Sequence, residues 1–115
     1  MFDKKILDNC INKYKFNDPW DVVDLFEKKL AAFFGSKYAV STDCCSHAIF
    51  LCLKLINKTK KIIYLPENTY ISVPVAVNLA GYKFKFKKIS WKNYYQLKPL
   101  NVIDSATNFK KNSYI

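Results

Sequence analysis

The chain has 115 residues, half of them hydrophobic and 17% aromatic, with a net charge of +10 carried by lysine alone. That length supports one small core, and the apolar and aromatic share excludes an intrinsically disordered chain. No apolar run approaches the ~20 residues that cross a bilayer.

In chain order, residues 1–17 read as an N-terminal arm with a short helix around Lys4–Asn12. Asp18-Pro19-Trp20-Asp21 reads as a helix start, with an acid at the cap and proline in the first turn. Val22, Val23, Phe26, Leu30, Phe33 and Phe34 then recur mostly on one helical face, and Gly35 ends the helix. Lys37-Tyr38-Ala39-Val40 is expected to be a short buried strand. A polar turn, Ser41 to His47, leads from it into an apolar helix, Ala48 to Ile56.

Lys58-Thr59-Lys60 is a polar turn, and Lys61 to Leu65 is a β-branched strand stopped by Pro66. After the loop Pro66–Tyr70, a second buried helix covers Ile71 to Ala80, with Pro74 close to its start and Gly81 at its end. Tyr82 to Lys87 alternates aromatic and lysine, the pattern of a strand with one covered face. Trp91 to Pro99 is an aromatic loop, and Asn101 to Asp104 a last strand ending in an acid. Strands alternating with helices imply a three-layer α/β fold with a mostly parallel sheet. Ligands gather at the carboxyl ends of such strands. Three polar clusters fall there: Asp43–His47, Asn68–Tyr70 and Asp104–Thr107.

The first of these is the natural anion site. A tight turn into a helix leaves the first N–H groups unpaired at the positive end of the helix dipole. Ser46 is expected as the N-cap, with its hydroxyl also available to an anion. The four cysteines form no C-x-x-C pair and the one histidine completes no zinc pattern, so no metal is expected and the thiols are expected free.

The basic balance suggests an anionic partner, but the chain has no arginine, the residue whose planar fork clamps phosphates and reads bases. The lysines are spread along the chain, and no helix-turn-helix, zinc-finger or RNP signature is present. Nucleic acid is therefore an unlikely partner. The first residues lack the apolar stretch of a signal peptide, and with no membrane span expected the default location is cytoplasmic.

Several stretches, taken together, resemble the DegT/StrS family of pyridoxal-phosphate-dependent sugar aminotransferases. They are Phe26-Glu27, Phe34 to Val40, the turn at Cys44-Cys45-Ser46, Leu65 to Tyr70, Asn78 to Tyr82, and Val102 to Ala106. The resemblance implies an incomplete version of the aspartate-aminotransferase-like (type I) large domain over residues 18–115. It implies a pyridoxal 5'-phosphate site in which Cys45, Ser46 and His47 hold the phosphate, Tyr70 stacks on the ring, and Asp104 faces the pyridine nitrogen.

It further implies amino transfer to a nucleotide-linked keto-sugar by a homodimer. Two departures stand against full activity. The Cβ of Cys45 restricts the approach to a phosphate, and Asp43 brings a negative charge nearby. The lysine that forms the family's Schiff base matches no residue here, since Lys110 and Lys111 follow Asp104 too soon. The expectation is a truncated chain, weak or absent in cofactor binding and inactive unless a second chain completes it. The alternative is a non-catalytic module that binds a phosphorylated ligand or a partner, with a small basic nucleic-acid-binding protein ranked last.

Overall fold

The computed structural model describes residues 4–56 and 62–114. They fall into two compact units, one of residues 1–41 with 114–115 and one of residues 42–113.

The first unit holds α1 (Lys4–Lys13) and α2 (Asp21–Phe34). α2 opens from Trp20, which makes no side-chain cap bond, and the expected cap acid Asp18 lies in the turn that leads into the helix. The Asp18 carboxylate accepts the Trp20 N–H at 2.8 Å, while the Asp21 carboxylate accepts the N–H groups of Asn17 and Asp18. Each acid thus satisfies backbone N–H groups of the turn that leads into the helix. Gly35, at φ 76°, closes α2, and the N–H groups of Gly35 and Ser36 both return to the Ala31 carbonyl. A residue with a Cβ is strained in that left-handed position, which is why the sequence places glycine there.

The buried strand expected at Lys37–Val40 does not form. Among the described residues no strand runs beside it, and a lone extended segment has no ladder to satisfy its peptide groups. Side chains do so instead. The Ser36 hydroxyl donates to the Tyr38 carbonyl, and Ser41 gives both its N–H and its hydroxyl to Glu27 at 2.7 and 2.8 Å. Tyr38 and Val40 are left exposed.

The Ser41 bonds, the backbone N–H first and the hydroxyl second, hold the Glu27 carboxyl below its ordinary value of 4.5. A depressed carboxyl pKa stabilises the fold above that value, and the contribution is lost as pH falls through the lower folded value. The gap in thermal midpoint between the native chain and Glu27→Gln should therefore be open at pH 7 and narrow below pH 4.5. An unchanged gap under acid would refute the charge's part in holding Ser41.

The second unit carries α3 (Cys45–Leu55), β1 (Ile63–Pro66), α4 (Ser72–Leu79), β2 (Phe84–Lys87), β3 (Tyr95–Gln96) and β4 (Ile103–Asp104). The turn expected at Lys58–Lys60 lies outside the described residues. β1 and β2 pair in parallel, Ile63 opposite Phe84, with α4 as the crossover between them. Pro74 lies in the first turn of α4, where no intrahelical bond needs its missing N–H. Of the face expected to be covered on β2, Phe84 is half-buried and Phe86 remains 49% exposed.

Among the described residues the expected single, mostly parallel sheet is instead two two-stranded sheets, one of them antiparallel. β3 and β4 pair antiparallel, Tyr95 opposite Asp104. Their connection, residues 97–102, is far shorter than the dozen or so residues a parallel crossover needs. It folds back as a tight turn, with Leu97 N–H on the Val102 carbonyl and Leu100 N–H on the Leu97 carbonyl. A single bridge, Tyr64 N–H to Lys98 carbonyl at 2.8 Å, ties this hairpin to β1.

The core lies between α3, α4 and these strands. Ile49, Leu53, Ile63, Leu65, Val77 and Leu97 are its centre. Tyr82 packs there with its hydroxyl 3.2 Å from the carbonyls of both Leu53 and Ile56. That hydroxyl meets the end of α3, where carbonyls have no helical partner. Among the described residues no helix is long and apolar enough to cross a membrane.

Candidate functional site

The site is built from the loops at one end of the second unit. α3 opens from Cys44, whose extended backbone (φ −157°, ψ 161°) makes it the N-cap. Ser46, expected in that role, is instead the second residue of the helix. The correction has a local cause: the Thr42 hydroxyl donates to the Cys44 carbonyl, and the Ala48 N–H returns to the same carbonyl, so the helix opens two residues earlier than a cap at Ser46 would allow. No side chain caps this terminus. The amides of Cys45, Ser46 and His47 belong to the first turn, where the helix itself supplies no acceptor.

The Ser46 hydroxyl donates to the Ser72 hydroxyl at 2.7 Å, linking the starts of α3 and α4. Asp43 and His47 pair across the same turn, Oδ1 to Nδ1 at 2.6 Å. The His47 ring, by that hydrogen bond first, holds the Asp43 carboxyl below its usual range. The charge that threatened the anion site is thus engaged by its own neighbour.

Asp104 ends β4 and reaches the same rim. Its Oδ1 lies 4.0 Å from the Cys45 thiol and accepts the Ala106 N–H at 3.3 Å. Its Oδ2 accepts the Tyr95 hydroxyl at 2.8 Å. Burial, with Asp104 and the neighbouring thiols adding to it, pushes the Cys45 thiol up, so it stays protonated beside the carboxylate. Among the described residues no lysine forms an ion pair with Asp104.

Beside Asp104 opens a cavity of about 360 Å³ whose walls include Asn68, Tyr70, Trp91, Tyr95 and Thr107. The structure therefore brings Tyr70 and Asp104 to one cavity and places Cys45 against Asp104. Tyr70 is largely exposed, free to lie over a ligand.

Sequence reasoning missed Tyr95, Trp91 and Ser72. Tyr95 is the pivot of the cavity: its hydroxyl touches both Thr69 and Asp104, and its ring lies 4.9 Å from that of Trp91. Trp91 in turn donates its indole N–H to Asn68 at 2.8 Å. The only signal was the aromatic density of residues 91–95, which does not say which ring turns inward.

Burial raises the Tyr95 phenol above its ordinary value of 10; the Thr69 contact opposes the rise and the Asp104 bond adds to it. A phenol raised on folding stabilises the fold below pH 10 and loses that contribution at higher pH, where the unfolded chain ionises first. In an ultraviolet titration one tyrosine should resist ionisation after its neighbours have titrated, and Tyr95→Phe should remove that late step. A late step that survives the substitution would assign it elsewhere.

A strand, a crossover helix and a parallel strand, with loops gathered at the strand ends, place the second unit among α/β proteins. Residues 2–112 match the model of the DegT/DnrJ/EryC1/StrS aminotransferase family, and the chain belongs to that family. No curated protein and no solved structure matches it. Members of the family are generally dependent on pyridoxal phosphate.

Proposed function

We propose that this chain serves pyridoxal-phosphate-dependent amino transfer to a nucleotide-linked keto-sugar, and that its described residues form the grip for the cofactor. The observation that carries the reading is the Asp104 carboxylate. It has no cationic partner among the described residues, stands at a strand end beside the first turn of α3, and borders a cavity walled by Tyr70. A carboxylate so placed fits a group that is cationic at one end and anionic at the other.

Asp104 would hold a proton on the pyridine nitrogen, with Tyr95 fixing the carboxylate's orientation through its hydroxyl. Tyr70 would cover the ring face. The amides of Cys45, Ser46 and His47, at the positive end of α3, would take the phosphate. When bound, pyridoxal phosphate supplies an electron sink for the pair left by removal of a proton from the amine-bearing carbon. The outward apolar residues Leu51, Leu55, Val75 and Leu79 on α3 and α4 support docking of a second chain, a further copy or a complementing one.

Among the described residues no lysine lines the cavity beside Asp104. That observation favours, as the second reading, a module that binds a phosphorylated ligand without catalysis.

The test is a titration of the purified chain with pyridoxal phosphate, followed by equilibrium dialysis and by absorbance. Saturable binding that inorganic phosphate competes away is expected. Borohydride should trap no adduct at the site if the chain grips the cofactor without supplying the imine. Absence of saturable binding would overturn both readings of the site.

A further inference from the structure

We propose that the turn opening α3 is also a metal site, in which Asp43, Cys44 and His47 hold a zinc-type divalent ion through their side chains. A carboxylate oxygen, a sulfur and an imidazole nitrogen from these residues all lie within 4.8 Å of one another, and all three residues are exposed. Zinc binds such donors at about 2.0–2.3 Å, so two donors on one tetrahedral ion stand roughly 3.3–3.8 Å apart. The cluster's separations, from 2.6 Å up to at most 4.8 Å, span that range and need small side-chain shifts to meet it. The Asp43–His47 hydrogen bond at 2.6 Å has only to open enough for an ion to replace its proton.

The fold creates this proximity. Cys44 is the extended residue just outside α3, and His47 lies in the first turn, so the helix start folds the two onto one side. Asp43, one residue further out, already reaches His47.

The donor set selects the ion. Calcium and magnesium prefer oxygen alone, whereas zinc accepts thiolate, imidazole and carboxylate together and imposes no geometry of its own. A thiolate and a carboxylate balance the ion's double charge, which offsets repulsion from the positive end of α3. On binding, the thiol releases its proton to solvent, and the imidazole carries its N–H on Nε2 so that Nδ1 can face the ion. Three protein donors leave a fourth position for water or an anion. The cofactor grip proposed above uses the backbone amides of Cys45, Ser46 and His47, so the metal site shares the first turn of α3 with it but draws on different atoms.

The full chain, kept reduced and free of pyridoxal phosphate, is titrated with cobalt(II) and then with zinc(II). Cobalt should produce visible ligand-field bands and a near-ultraviolet thiolate-to-cobalt band, and zinc should displace both. Cys44→Ser should abolish the thiolate band. It should also weaken binding more than about tenfold, since even lost outer contacts to a metal ligand cost ten- to hundredfold. Serine is itself a good N-cap, so helix content by circular dichroism should hold. His47→Gln should weaken binding to a similar degree, and Cys52→Ser, at an exposed thiol elsewhere on α3, should match the native chain. The proposal is overturned by no cobalt band in the native chain, by a thiolate band that survives Cys44→Ser, or by unchanged affinity in His47→Gln.

Discussion

Asp104→Asn should weaken pyridoxal phosphate binding by roughly ten- to hundredfold, the range of a charge-assisted hydrogen bond worth about 1.5–3 kcal/mol. The substitution removes the charge and little else. The amide oxygen can keep the Ala106 N–H bond made at Oδ1, while the new amide N–H stands where Oδ2 accepted the Tyr95 hydroxyl and can donate to it, the hydroxyl turning to Thr69. Its thermal midpoint should therefore stay near that of the native chain while dialysis records the lost affinity. Equal affinity in the two proteins would mean that the cofactor, if bound, is held elsewhere. A collapse of stability in step with the affinity would make Asp104 a structural residue.

Leu53→Ala should destabilise the second unit by about 2–5 kcal/mol, the cost of emptying a core leucine. Leu53 is 1% exposed and lies between α3 and the β1–α4 layer. Against a total of roughly 5–15 kcal/mol for a small domain, that loss is a large fraction of what holds the unit folded. The expected readout is a large fall in the urea midpoint. Leu55→Ala makes the comparison on the same helix: Leu55 is 86% exposed and should change stability by no more than about 0.5 kcal/mol. Comparable losses from the two would mean that α3 packs by a different face.

The parts of the fold that were legible in the sequence are those fixed by local chemistry. Asp18 and Gly35 bracket α2 because a free N–H and a left-handed turn each demand a particular residue nearby. Lys61 to Leu65 reads as a strand because its side chains are largely β-branched or apolar, and β1 forms at Ile63–Pro66 with Pro66 paired inside the strand instead of stopping it. Lys37–Val40 has the same composition, yet strand formation depends on a neighbour that composition cannot supply. The antiparallel return of β4 onto β3 hid for a related reason. Tyr95 meets Asp104 only through the turn at Leu97–Leu100, and an apolar hairpin connection reads like any other aromatic loop.

The site divides along the same line. The acid at the end of β4 and the helix opening at Cys45 were visible as polar clusters at expected strand ends. Tyr95, which orients the acid, was not, since burial and a hydroxyl contact are tertiary facts. The pairing of Asp43 with His47 escaped because zinc patterns are sought across loops, whereas here the donors crowd into one helical turn. Ser46 was placed two residues late as the cap because a serine before an apolar run looks like a boundary, and Cys44 does not.

One consequence follows from where β2 stands. It is the last strand on its side of the parallel pair, and Lys85 and Lys87 project exposed from it. Bringing two such margins together would press ammonium groups against each other, the arrangement by which natural sheets refuse to grow outward. The lysine excess that first suggested an anionic partner thus acts here as a fence.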